Sequence, residues 1–163
     1  MNRKALQKLS YGVYLVTTAQ NGKSYGCVAN SAMQITSSPA QIAVSINQIA
    51  QSGKFALSIL ATDTDPALIG GFGYRSSRDA DKFAGVPSAE HDGMPVPDAA
   101  MAWITCRVVK IMTAGTHTIF LGEVTDCELN RADGIPMTYL YYHTVIKGNS
   151  PKNAPTYVPP EEK

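Results

Sequence analysis

The densest group of side chains able to hold an anion is Arg75-Ser76-Ser77-Arg78, followed by Lys82 and Phe83. Hydroxyls beside Arg and Lys suit a phosphate, which accepts charge-assisted hydrogen bonds and the two-pronged contact of a guanidinium. Asp79 and Asp81 lie among them, so a solvated ion-pair surface is the competing reading. A second candidate is Asn30 to Pro39, NSAMQITSSP, where small and amide side chains stand between two strand-like runs. Read as a loop, it would bring backbone N–H and C=O groups close to a polar planar ligand; read plainly, it is a polar connection. His117 follows Gly115 at the start of a strand-like run, where an imidazole either meets a substrate or cofactor phosphate or sits on the rim in solvent. His91 lies in an acidic loop and is expected to be exposed, and His143 follows three tyrosines and reads as packing or interface. Three dispersed histidines without ligand spacing argue against a metal site. Cys27, Cys106 and Cys127 form no CxxC pair, which excludes a zinc ribbon or dithiol motif, and Cys106 and Cys127 read as small buried hydrophobes. Trp103 reads as core or subunit interface. No GxGxxG after a strand, GxxxxGK[ST], HExxH or GxSxG is present, so the dinucleotide-fingerprint, P-loop, zincin and hydrolase readings fall away.

The elements that must position these groups are mostly strands. Tyr11–Ala19 and Ser24–Ala29 flank Asn21-Gly22, a hairpin signal because a type I′ turn needs positive φ at both central residues. Gln41–Ile46 and Phe55–Leu60 read as short buried strands, with one or two helical turns over Gln48 to Lys54 between them. Asp65-Pro66 opens a short helix through Ile69, with Asp as N-cap and Pro at the first helical position. Gly70 to Asp98 reads as a long loop with a helical turn near Asp79–Phe83. Ala99–Thr113 and His117–Leu129 are long, bent strands, and Met137–His143 is a last strand or short helix. About six strands and few helices predict a small closed or half-open β-barrel.

The chain has 163 residues, 14 Lys+Arg and 13 Asp+Glu, a balance that excludes a nucleic-acid binder relying on a basic field. No stretch approaches the roughly 20 apolar residues of a membrane span, and Met1–Leu9 lacks the apolar run of a secretory signal. With sparse cysteines, a cytoplasmic location is expected. Residues 1–148 read as one domain, and 149–163, with four prolines, as an extended arm.

Five segments in order resemble the flavin reductase-like family of FMN-binding split barrels: YGVYLVTT at Tyr11–Thr18, ANSAMQITSSPAQIAVSIN at Ala29–Asn47, GGFGYRSSRDADKF at Gly70–Phe83, GTHTIFLGEV at Gly115–Val124 and YLYYHTVIKGNSPKNAPTY at Tyr139–Tyr157. Within that family the sequence resembles the archaeal ferric reductase branch and the flavin domain of high-molecular-weight rubredoxins. The resemblance implies a six-stranded Greek-key barrel with a few short helices, a homodimer, and one noncovalent FMN per subunit. By the same resemblance Asn30, Ser31, Ala32, Met33, Gln34, Ile35 and Thr36 would line the flavin ring and its ribityl chain, and Ser45, Ile46 and Asn47 would stand beside the ring. Arg75, Ser76, Ser77, Arg78, Lys82 and Phe83 would form the phosphate side, and His117 would lie by the nicotinamide-dinucleotide site. Some members carry a cysteine where Ser45 stands, so a thiol role is not expected there.

The activity implied is hydride transfer from NADH or NADPH to bound FMN, then electron delivery to an external acceptor: a ferric chelate, rubredoxin or another small redox protein. No protein group would act as catalytic acid or base. A flavoredoxin-like carrier reduced by a protein partner, a reductase releasing free reduced FMN to a monooxygenase, and a ligand-free structural barrel are the alternatives. Neither nucleic acid nor membrane is expected as a partner.

Overall fold

Two strand-forming runs either side of Asn21-Gly22 make the expected hairpin: β1 (Tyr14–Gln20) and β2 (Lys23–Ala29) pair from Tyr14↔Ala29 to Gln20↔Lys23. Asn21 and Gly22 both take positive φ, 52° and 72°, as a type I′ turn demands. The computed structural model describes residues 2–47, 52–77, 80–152 and 154–157. Part of the helical segment expected over Gln48 to Lys54, and Arg78 and Asp79, lie outside the described residues.

Asn30–Pro39 differs from the loop expected. Residues Ala32–Ser37 form β3, which pairs with β4 (Ala40–Ile46) across a Ser38-Pro39 turn. β3 is an edge strand whose side chains are mostly exposed, so it lacks the alternation of buried and exposed positions that reveals a strand. β4 continues onto the long hairpin of β9 (His117–Leu129) and β8 (Ala102–Ala114), and β8 onto β5 (Lys54–Ile59). The antiparallel order is β2-β1-β5-β8-β9-β4-β3, seven strands rather than six because β3 is one of them.

The two edge strands of this sheet are consecutive in the chain, joined only by Asn30 and Ser31. Three Cα–Cα steps span at most about 11 Å, so the sheet must curl until its edges meet at this corner. Irregular register at Thr105/Cys106 and Val108/Lys110 supplies bends in β8. Side chains from both ends of the sheet consequently share one core: Val16, Ala29, Val44, Phe55, Cys106 and Phe120.

α1 (Pro66–Gly73) starts as expected, Asp65 accepting from the Ala67 N–H at 2.8 Å with Pro66 in the first turn. It runs past Ile69 through the glycines and buries Ile69 and Phe72 in a second core with Leu15, Leu60, Met137 and Tyr142. The rest of the expected long loop contains a small hairpin, β6 (Ser88–His91) and β7 (Met94–Pro97), turning on Asp92 and Gly93 at φ 50° and 78°. Pro95 and Pro97 mask this strand in the sequence, since proline is tolerated only where no ladder hydrogen bond is needed. The hairpin packs on buried Trp103, against which His91 stacks at 4.0 Å, so His91 is not the free loop residue expected. Met137–His143 resolves as a helix, α2 (Tyr139–Thr144), with Thr138 as N-cap. Cys106 is buried as expected; Cys127 is exposed, on the distal part of β9 where the strand leaves the core. Among the described residues, no helix is long and apolar enough to cross a membrane.

Gly122 on β9 faces the centre of the barrel. A Cβ there would lie 2.6 Å from the Cys106 Cβ and 2.7 Å from the Phe55 ring. Gly122→Ala is expected to lower stability by about 1–3 kcal/mol through overpacking, read as a reduced urea midpoint with unchanged slope.

Candidate functional site

At the corner where β2 passes into β3, a cleft of about 930 Å³ opens between the barrel, the C-terminal end of α1 and the chain's returning tail. Its floor is β1 and β2, with Val16, Tyr25, Gly26, Cys27 and Val28, and the end of β4 adds Ser45, Ile46 and Asn47. His117, first residue of β9, stands at one side, its Nδ1 2.9 Å from the Thr116 hydroxyl. Buried Asn30 sits at the corner itself and accepts from the Ser31 Oγ at 3.0 Å.

The opposite side is built where α1 ends. Tyr74, Arg75, Ser76 and Ser77 follow the helix along the cleft, and Lys82 reaches back into it. Lys82 Nζ donates to the Gly26 carbonyl at 2.8 Å and to the Phe72 carbonyl at 2.9 Å, tying β2 to the last turn of α1. The Ser77 hydroxyl reinforces this joint, accepting from the Gly26 N–H at 3.3 Å and lying 3.2 Å from its carbonyl. Gly26 must be glycine for this approach, since a Cβ would fall 2.7 Å from the Phe72 ring. Burial depresses the Lys82 pKa, with Cys27 opposing; burial likewise pushes the Cys27 thiol up to about 11, with Lys82 opposing. Cys27 is therefore a thiol in a cleft wall at neutral pH. Among the described residues, neither Arg75 nor Lys82 forms an ion pair with a carboxylate, although Asp81 is near Lys82 in sequence.

The fold thus gathers Asn30, Ser45, Ile46, Asn47, Arg75, Ser76, Ser77, Lys82 and His117 around one space, from four separate segments of sequence. Ser31 lies at the corner, behind Asn30. Ala32, Met33, Gln34, Ile35 and Thr36 run along β3 without lining the cleft, with Met33 64% and Ile35 48% exposed. Phe83 is edge-on to Phe72, 5.0 Å between centroids, and packs with the second core. Arg78 lies outside the described residues. Sequence reasoning missed Tyr25, Gly26 and Cys27, whose part in the floor follows from strand pairing, and the tail residues Asn149, Ser150, Pro151, Ala154 and Pro155. The tail's signal in the sequence is its mostly small and proline residues after Gly148, broken by Lys152.

Residues 6–149 match the family model described as flavin reductase like domain. The chain belongs to the flavin reductase-like family. It is 42% identical over 172 aligned positions to the high molecular weight rubredoxin of Moorella thermoacetica, covering all of this chain and 75% of the relative. It is 40% identical to the ferric-chelate reductase (NAD(P)H) of Archaeoglobus fulgidus, over 96% of this chain and 98% of that one. Among solved structures, flavin reductase PheA2 in its native state superposes with a TM-score of 0.69 at 34% identity, over 83% of this chain and 89% of the other. The family and its antiparallel barrel agree with the resemblance seen in the sequence.

Burial orders the reactivity of the three thiols, of which Cys27 alone lines the cleft. Burial raises Cys27 to about 11 and Cys106 to about 12, so at pH 8 roughly one Cys27 in a thousand is thiolate. A disulfide reagent at pH 8 is expected to label one cysteine rapidly in the native protein, and Cys127→Ser should remove that phase. Equally fast labelling of Cys27 would contradict the buried joint beside Lys82.

Proposed function

We propose that this protein is an FMN-dependent oxidoreductase that accepts hydride from NADH or NADPH and passes electrons to an external acceptor, a ferric chelate or a small redox protein such as rubredoxin. The observation that carries this reading is the composition of the cleft: a cationic and hydroxyl-bearing end continuous with an apolar strand floor and amide groups at the corner. That layout suits a phosphate joined to a planar ring, and the volume falls within the range of small-molecule sites, about 300–1,000 Å³. The last turn of α1 directs carbonyls toward the phosphate end, which disfavours an anion. Lys82 occupies the Phe72 carbonyl there and keeps a third N–H while Ser77 holds Gly26, so Lys82 with Arg75 and Ser76 makes that end receptive to a phosphate.

Bound flavin would supply the redox chemistry, accepting a hydride and releasing electrons onward. The chain's part is to hold and orient. Asn30, Ser45 and Asn47 offer amide and hydroxyl groups beside the ring, Val16 and Ile46 exclude water beneath it, and His117 at the edge contacts the incoming nicotinamide dinucleotide. The similarity to an NAD(P)H-dependent ferric-chelate reductase along almost the whole chain supports this assignment. Similarity to a rubredoxin-bearing relative, of which this chain covers three quarters, supports a rubredoxin-type acceptor. A homodimer is part of the reading: edge strand β3 exposes Met33 and Ile35, and the distal end of β8 exposes Ile111 and Met112, 60% and 53% accessible. A second copy would cover these residues and bring β3 into reach of a site.

Anaerobic titration tests the function. FMN should bind and NADH or NADPH should bleach it, with a ferric chelate or rubredoxin restoring the yellow colour; an absent spectral change on adding FMN would overturn the assignment. Lys82→Ala should weaken FMN affinity about tenfold or more, the worth of a charge-assisted phosphate bond of roughly 1.5–3 kcal/mol. His117→Ala should raise the KM for the nicotinamide while FMN stays bound. Sedimentation should give a dimer that Ile35→Glu converts to monomer.

A further inference from the structure

After α2 the chain reverses and returns along the open side of the cleft. Lys147 adopts the left-handed φ of 62°, and Gly148 lies flat against the Tyr142 ring, where a Cβ would overlap ring atoms. The Gly148 N–H donates to the Tyr142 carbonyl at 3.0 Å. Beyond this anchor the Tyr74 hydroxyl donates to the Asn149 carbonyl, and Pro151, Ala154 and Pro155 face the cleft.

The strap is held by hydrogen bonds that run in one direction. The Gly148 carbonyl can only accept, so His143 Nδ1 is the donor at 2.7 Å. In the neutral ring Nε2 is then the acceptor, and the Ser150 hydroxyl donates to it at 3.2 Å. Ser150 in turn accepts from the Tyr139 hydroxyl, and Tyr139 accepts from Thr156 Oγ at 3.0 Å. Thr156 accepts from Asn30 Nδ2 at 2.7 Å, and Asn30 Oδ1 accepts from Ser31 at 3.0 Å. Each hydroxyl in the middle of the relay donates once and accepts once, and such chains strengthen cooperatively. The relay joins the β2–β3 corner to the end of α2 by way of the strap.

We infer that this strap is the retaining wall of the cofactor cleft, with His143 and Thr156 as positioning residues, and that it makes flavin a resident cofactor rather than a diffusible substrate. The inference rests on the flavin-binding reading above. The strap residues that face the cleft, Pro151, Ala154 and Pro155, carry no charge, and Lys152 between them is exposed outside the cleft lining, so the strap's contribution is contact and exclusion of water, which acts on departure rather than arrival. Two prolines among them limit the freedom the strap would gain if it came loose.

Stopped-flow FMN binding to the full chain, carrying Thr156→Val, His143→Ala or both, tests this. Each single change is expected to speed FMN release by about three- to tenfold while the association rate stays within about twofold. The double variant should release no faster than the weaker-binding single one, because both cut the same relay although His143 and Thr156 do not touch. Thr156→Ser keeps the hydroxyl and should restore slow release, which separates the relay from a general loss of folding. Wild-type release rates in Thr156→Val and His143→Ala, or strictly additive effects in the double variant, would overturn the strap's role while leaving flavin binding intact. A wild-type protein that binds no FMN would overturn the strap's role together with the proposed function.

Discussion

Two residues, Asn30 and Ser31, connect the opposite edges of a seven-stranded sheet, and the rest of the structure follows from that short link. A sheet in this order could otherwise lie open. With its edges tethered it must curl, and the curl brings Val16 and Ala29 from one end against Ile42 and Val44 from the other, a single core centred on Phe55 and Cys106. The link also tells where the barrel is incomplete. β2 and β3 meet only at the corner and share no ladder beyond it, so a seam opens there, and the cleft occupies the seam. The Ser45 N–H donates to the Ser31 carbonyl at 2.9 Å, holding the corner to β4 and setting Ser45, Ile46 and Asn47 on the same side as Asn30.

The seam is dressed by two elements that do not belong to the barrel. α1 delivers Phe72 onto the second core and leaves Arg75, Ser76 and Ser77 at the cleft, while Lys82 and Ser77 bind its end to Gly26 of β2. The tail closes the other side through α2. The cleft is thus a composite of barrel, helix end and tail, and among the described residues its joints are hydrogen bonds to backbone carbonyls and hydroxyls rather than to carboxylates. That leaves positive charge at one end of a site in a chain whose net charge is only +1. A local field of this kind recognises a phosphate without making the surface generally basic.

Much of this was legible in the residues, for identifiable reasons. Asn21-Gly22 and the strand-forming residues of β8 and β9 on either side of Gly115 declare themselves because turn chemistry and side-chain preference act locally. β3 did not, because an edge strand with both faces exposed has no buried side to pattern; β6 and β7 were hidden by their prolines. In the site, the Arg75 to Lys82 cluster is visible as charge, but the bridge that Lys82 makes between Gly26 and Phe72, which sets it apart from a solvated surface lysine, exists only in the fold. Met33 to Thr36, expected beside the ligand, instead run along an edge strand away from the cleft lining. The tail reads as an arm in the sequence because proline and small polar residues form no periodic pattern; its bonds to Asn30 and Tyr74 span 126 and 75 positions of sequence, a separation no local signal carries.

The central claim is that corner, helix end and tail form one flavin cleft. Hydrogen–deuterium exchange with and without FMN tests it most directly. Saturating FMN should slow exchange together at Gly26–Ser31, at the segment following α1 and at 154–157, three regions far apart in sequence, and leave the β6–β7 hairpin unchanged. Protection confined to one of these regions, or appearing only at the β6–β7 hairpin, would contradict it.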